Sequence, residues 1–429
     1  MRFAKILLCA LAGAIPTSSA LAQGLGAGTG FPIGEKSRIH TGLDMSVGFD
    51  SNSLRFDNAR DDQGQRSDWK AVIRPGVTVD VPGTSVELML RGQLSIMQYF
   101  GTGALDRDLY SDTTFGGDVV AKLRLGSKDS IIGFSLENQL VRTPVWMDDP
   151  GTIPSDERRF PLWHNRGKAL FTLRPGGRAL ELDLGYGIEA SIYNFSRTDG
   201  TNTQTSQIPY GFIHSGIFEA RWKFFPKTAF VFHADVGYFT ASNQGAAVST
   251  YSALPLHIYL GAIGQVTTRL NAEITVGDGD TLSSEGGNFT TRGPIGTAIL
   301  TYAFNSTTNL SLGYRRTIQP EVIVNSYSSD APFVRFKAGI GGRLVLSLFG
   351  EYQFRKYARS GTLTNGERIN AGVAMADARV EYWFFPWLNA AISYRLQMQN
   401  PSTVTDEANN ILLQDFVRHQ AFLSVGFHY

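Results

Sequence analysis

The sequence predicts an all-β protein: a single antiparallel transmembrane β-barrel of about 18 strands (16–18), with short periplasmic turns and long extracellular loops. Three observations predict it. Apolar and polar residues alternate with period two in segment after segment, down to the last residue. The segments are about 10–15 residues long, whereas a soluble strand has about 5–6 and a tilted strand crossing a bilayer needs about 9–11. The connections between them alternate short and long, as in outer-membrane-type barrels.

The alternation is plain in three segments. Leu344, Leu346, Leu348, Tyr352 and Phe354 share one face, against Ser347, Glu351, Gln353 and Arg355 on the other. Leu180, Leu182, Leu184, Tyr186 and Ile188 oppose Glu181, Asp183, Gly185 and Glu189. Phe230, Phe232, Ala234, Val236 and Tyr238 oppose His233 and Asp235. Such a pattern is a strand with one apolar and one polar face. Extended along the chain, it predicts strands at 38–50, 68–80, 84–98, 114–126, 129–142, 166–175, 178–195, 210–225, 228–240, 253–265, 268–278, 293–304, 308–319, 333–341, 344–357, 371–384, 387–400 and 415–429. The connections near 51–67, 99–113, 143–165, 196–209, 241–252, 279–292, 320–332, 358–370 and 401–414 are the long ones, rich in Gly, Ser, Thr, Asn and Asp.

Composition removes the competing classes. The 429 residues carry 39 Lys+Arg and 38 Asp+Glu, a net charge of +1. Charged residues are 18%, below the roughly 25% usual for soluble chains. Gly numbers 46, aromatics reach 12% and mean hydropathy is −0.10. After residue 22 no run of apolar residues approaches the roughly 20 that a helical span needs, which excludes a helical membrane bundle. The balanced charge supplies no basic footprint for nucleic acid.

Residues 1–22 read as a signal peptide: Arg2 and Lys5, a short apolar core from Ile6 to Ile15, and Ala20-Leu21-Ala22 before a cleavage point at Gln23. Cys9 is the single cysteine, so the mature chain is expected to hold no disulfide. Removing Arg2 and Lys5 from the 39 basic residues leaves 37 against 38 acidic ones, a charge of −1. Residues 23–37 are Gly-rich and read as a flexible periplasmic N-terminal segment; the barrel occupies 38–429.

In hydrocarbon every backbone N–H and C=O needs a partner within the protein, which strands meet only by closing on themselves. The apolar face then meets lipid and the polar face the lumen. At the C-terminus Leu423, Val425, Phe427 and Tyr429 alternate with Ser424 and His428. A terminal strand ending on an aromatic looks like the signal read by the barrel-assembly machinery, and as an open edge it would invite aggregation. Two turns share Phe-Phe-Pro, at 224–226 and 384–386, each flanked by Trp. Their rings suit a membrane boundary, where one edge is wet.

A barrel of about 18 strands is too wide for side chains to fill and leaves an aqueous channel. Parity assigns its pore-lining candidates: Arg91, Lys122, Arg124, Glu137, Glu181, Asp183, Glu219, Arg221, Asp235, Arg335, Lys337, Glu351, Arg355, Asp377, Arg379, Glu381, Arg395 and Arg418, with Asp44, Arg74, Glu87, Asp118 and Glu273 on the same face. The mixed signs predict weak ion selectivity and pairs that brace the inner wall. The longest loop, 143–165, is the constriction candidate, carrying Trp146, Asp148, Asp149, Asp156, Glu157, Arg158, Arg159 and Trp163. There is no H-E-x-x-H, P-loop, G-x-S-x-G or Cys/His cluster, so no enzyme activity, cofactor or metal is expected.

The mature chain resembles Gram-negative outer-membrane β-barrel porins. More narrowly, Gly48-Phe49-Asp50-Ser51-Asn52-Ser53-Leu54-Arg55 and the Phe-Phe-Pro turns look like those of barrel porins found with exopolysaccharide synthesis genes. The resemblance implies a conduit exporting a polysaccharide, with a periplasmic polysaccharide-export protein, an inner-membrane polymerase and the glycan as partners. The alternatives are a general diffusion or uptake porin for small polar solutes, and a structural or adhesive barrel with a blocked pore. All three place the chain in the outer membrane with both termini in the periplasm, and its other partners are lipid and the assembly machinery.

Overall fold

The structure is a computed structural model. It describes residues 30–51, 67–100, 113–127, 129–144, 161–176, 179–193, 210–244, 248–283, 291–321, 325–357, 370–401 and 416–429, with short strand pairs 197–199/202–204 and 404–405/411–413. Residues 1–29, which include the expected signal peptide, lie outside the described residues.

Eighteen long strands form one antiparallel sheet. They are β1 (Arg38–Asp50), β2 (Asp68–Pro82), β3 (Val86–Tyr99), β4 (Thr113–Leu125), β5 (Ile132–Pro144), β6 (Pro161–Leu173), β7 (Leu180–Tyr193), β8 (Tyr210–Phe225) and β9 (Thr228–Gln244), followed by β10 (Leu256–Gln265), β11 (Leu270–Asp280), β12 (Arg292–Ala303), β13 (Asn309–Glu321), β14 (Asn325–Ile340), β15 (Leu344–Tyr357), β16 (Asn370–Phe385), β17 (Leu388–Pro401) and β18 (Phe416–His428). Each pairs with the next in chain order. β18 then returns to β1, from Gly42↔His428 to Asp50↔Gln420, so the sheet closes on itself. The predicted fold class is the observed one.

The barrel is inside-out relative to a soluble protein. Val119, Leu184, Val276, Leu312, Ile392 and Leu423 point outward and are each more than half exposed. In water so continuous an apolar surface would aggregate; in a bilayer it is the face that meets solvent. No helix among the described residues is long and apolar enough to cross a membrane.

One end of the barrel carries the short turns. Gly341 (φ 60°) and Gly342 (φ 71°) both occupy the left-handed region, which glycine enters without a Cβ clash. The two Phe-Phe-Pro turns are built alike. The register slips by one residue between Lys223 and Phe225 in β8, and between Trp383 and Phe385 in β16, so Phe224 and Phe384 are bulged residues ahead of the proline. Around them rings gather: Phe224 stacks on Phe230 at 4.3 Å, and Phe385 on Trp387 at 5.4 Å. The sequence repeat is thus a repeated bulged hairpin at the rim.

Several boundaries differ from the sequence reading. β6 begins at Pro161, not 166, and β14 at Asn325, not 333. β9 runs to Gln244, where Val248–Ala253 pairs with its upper half. These extensions lie beyond the apolar band, where an outward residue need not be greasy. Ser328 and Asp330 of β14 therefore read as loop by composition yet pair in register with β15. Residues 30–37 are the described part of the N-terminal segment. Phe31–Pro32 pairs with Arg38 and Ile39, and the Phe31 ring lies 4.4 Å from that of Tyr429.

Candidate functional site

The lumen is built by parity. On each strand the residues alternating with the exposed apolar ones face inward, and cross-strand register carries that face around the barrel. Arg91 of β3, Lys122 and Arg124 of β4, Glu137 of β5, Glu181 and Asp183 of β7, Glu219 and Arg221 of β8 and Asp235 of β9 lie on it. So do Arg335 and Lys337 of β14, Glu351 and Arg355 of β15, Asp377, Arg379 and Glu381 of β16, Arg395 of β17 and Arg418 of β18.

Most of these charges meet an opposite one on the same strand or a nearby one. Arg91 donates to Asp118 at 2.6 Å. Lys122 pairs with Glu137 and Arg124 with Glu87. Glu181 accepts from Arg174 at 2.9 Å and Arg221 at 3.1 Å, and Arg221 also holds Glu219. Arg395 pairs with Asp377 at 2.5 Å, Arg379 with Glu381 at 2.7 Å and Arg315 with Glu351 at 3.0 Å. Asp183 accepts from Thr172 at 2.5 Å. Arg335 lies over the Phe349 ring and Arg355 over Tyr327, at 5.5 and 5.2 Å. Lys337 sits between Asn309 and Ser347. The inner wall is therefore polar, braced and close to neutral.

The seam where the barrel closes holds a cluster that sequence reasoning missed. Asp50, at the end of β1, is fully buried and accepts four hydrogen bonds: from Lys70 Nζ (3.0 Å), Arg418 Nε (2.8 Å), Arg418 Nη2 (2.5 Å) and Gln420 Nε2 (2.8 Å). The neighbouring residues serve the same seam. A β-carbon at Gly48 would overlap the Phe422 ring, and Phe49 packs edge-on against Trp69. Ser51 exchanges backbone and hydroxyl hydrogen bonds with His419. The signal lay in the sequence as Gly48-Phe49-Asp50-Ser51, and its local role is closure.

The loop expected to narrow the lumen lies almost wholly outside the described residues. Trp146, Asp148, Asp149, Asp156, Glu157, Arg158 and Arg159 fall outside the described residues. Trp163 is not a loop residue. It stands on β6 with the parity of exposed Phe171, faces outward, and packs under the Arg142 guanidinium at 5.5 Å. What does enter the lumen is the upper part of β13 and β14. β13 pairs with β12 only as far as Arg316↔Gly296, although both strands continue. Above that point β13 leaves the wall and remains attached to β14, which stays paired with β15 up to Tyr327↔Tyr357. Strand parity would turn Ile318 outward; instead it is 2% exposed, and its carbonyl accepts from Nε2 of His257, on the inward face of β10, at 2.8 Å. Gly279 leaves room for this crossing, since a β-carbon there would lie 3.2 Å from His257 and 3.5 Å from Ile318. A second tie joins Thr291 and Ser326 through their hydroxyls at 2.8 Å.

No family model and no curated protein matches the chain. Among solved structures it is similar to Pseudomonas aeruginosa OpdK with vanillate, at 12% identity and a TM-score of 0.43, covering 91% of this chain and 99% of that one. It is similar to OccK9 (OpdG) of the same organism at 16% identity and a TM-score of 0.43, covering 92% and 99%. It is also similar to a mutant of the ferric enterobactin receptor PfeA from Pseudomonas aeruginosa, at 8% identity and a TM-score of 0.48, covering 91% and 80%. The barrel assignment rests on this chain's own strand pairing and outward apolar face.

Proposed function

We propose that the chain is an outer-membrane channel through which small polar solutes diffuse, with its short-turn end and both termini in the periplasm. The observation that carries the reading is the pairing of a closed, outwardly apolar barrel with an inner wall of compensated charges. Lipid and the barrel-assembly machinery are its partners in this reading, with Leu423, Val425, Phe427 and Tyr429 as the assembly signal.

The wall favours small solutes over a polysaccharide. A sugar polymer would use open aromatic faces to stack on. Several inward rings among the described residues are already covered: Phe422 by Lys70 at 4.9 Å, Phe333 by Arg315 at 6.0 Å, Phe349 by Arg335, and Tyr259 by His233 at 4.6 Å. Tyr99, Phe239 and Phe416 are at most 3% exposed. The described part of the segment that resembles exopolysaccharide-associated porins, Gly48 to Ser51, is used in closing the barrel, which any barrel must do.

Purified chain added to a planar bilayer should give discrete, steady conductance steps with a reversal potential near zero in a salt gradient. Arg335→Glu should move that potential toward cation selectivity, because Arg335 faces the lumen and makes no ion pair among the described residues. Current no greater than leak in correctly folded protein would refute the channel.

A further inference from the structure

The contact between His257 and Ile318 has a chemical requirement of its own. His257 Nδ1 lies 3.0 Å from a carboxylate oxygen of Asp235, and Nε2 lies 2.8 Å from the Ile318 carbonyl. Both partners only accept. A neutral imidazole has one N–H and one lone pair, so it can satisfy one of them and must turn its lone pair on the other; only imidazolium donates to both. His233 has no such requirement: its Nε2 bonds Asp235 at 3.0 Å, while its Nδ1 stands 3.6 Å from Glu219, beyond hydrogen-bond distance.

We propose that His257 is a proton-dependent latch: as imidazolium it ties the upper part of β13 to the β10 wall and narrows the mouth, and on losing its proton it releases that segment and widens the mouth. Protonation occurs as pH falls, so the latched form belongs to the acid side of the ordinary histidine range and the open form to the alkaline side. The titratable groups facing His257 are Asp235 and His233, both from β9. Glu219 of β8 and Tyr259 of β10 stand one step further off, against His233. β11, β12 and β13 present Gly279, Ile295 and Ile318, none of which titrates. Asp235 is shared by the two histidines and fixes the Nδ1 proton of His257, which forces Nε2 to choose.

The inference deepens the channel reading, and its test separates the two. With no cysteine in the mature chain as read from the sequence, spin labels at Leu254→Cys, on the outer rim, and Pro320→Cys, on the inturned segment, report the crossing by pulsed dipolar distance measurement. The short distance should dominate at pH 5 and give way to longer ones at pH 8, with a shift in the latched-to-open ratio of about tenfold. His257→Gln should abolish the shift. Asp235→Asn should keep the short distance even at pH 8, because an Asn amide can donate to Nδ1 and leave Nε2–H for Ile318. His233→Gln should still show the shift. Conductance should fall on the acid side in the wild type and not in His257→Gln. A distance that is the same at both pH values in the wild type, or a shift that survives in His257→Gln, overturns the latch. A pH-dependent distance without current at either pH leaves the latch standing and refutes the channel.

Discussion

Asp50→Ala should lower the stability of the folded barrel by about 3–5 kcal/mol, the cost of leaving buried cations unpaired. Asp50 is 0% exposed, and it is the acceptor on which Lys70 of β2 and Arg418 of β18 both converge. Its removal strands two charges, not one, at one end of the seam between the first strand and the last. Asp50→Asn should fall between, since the amide oxygen still accepts but the charge is gone. Arg292→Ala is the comparison. Arg292 is itself 70% exposed and pairs with Asp278 (55% exposed) and, at 3.8 Å, with Asp280, so solvent reaches the cation in both pairs and its loss should change stability by about 1 kcal/mol at most. The temperature at which the compact band on unheated SDS gels converts to the unfolded one, or a urea midpoint followed by tryptophan fluorescence, measures all three. If Asp50→Ala were no worse than Arg292→Ala, the seam would not depend on this cluster.

The contrast between those two pairs marks what the sequence could and could not say. Period-two alternation needs only the order of residues, and it located eighteen strands and the inward face of Arg91, Glu351 and Arg395 because the bilayer enforces apolar residues on alternate positions. It fails where that enforcement ends. Ser326 to Asp330 lie past the apolar band, so their strand was invisible, and Trp163, an interfacial aromatic, passed for a loop residue. Nor does alternation state partners. Asp50 and Arg418 are 368 positions apart and meet only because the sheet closes. Likewise, parity alone would put Ile318 on the outer face; its burial follows from β13 parting from β12 above Gly296, a three-dimensional event with no periodic trace. Composition counts aromatic rings but does not say whether their faces are free. Rings do line the inner face, but Lys70, Arg315 and Arg335 already occupy their faces.

Val119→Arg tests the inside-out assignment on which the channel depends. Val119 is the central residue of β4, points outward and is 54% exposed. If that surface lies in hydrocarbon, an arginine there must lose its water or drag water inward, which costs about 2–4 kcal/mol at the middle of a transmembrane barrel. Gln139→Lys is its counterpart one strand away. Gln139 lies opposite Val120 on the inward face, where a new cation meets water and polar neighbours, and should cost no more than about 0.5 kcal/mol. Were the chain instead an oil-filled soluble particle, the order would reverse: the introduced arginine would reach water freely and the introduced lysine would be buried. Urea titrations of folding into lipid vesicles give both numbers on one scale. The sign of their difference decides which face of the sheet is wet, because no redistribution of loops or ion pairs exchanges the two faces without slipping every strand by one residue.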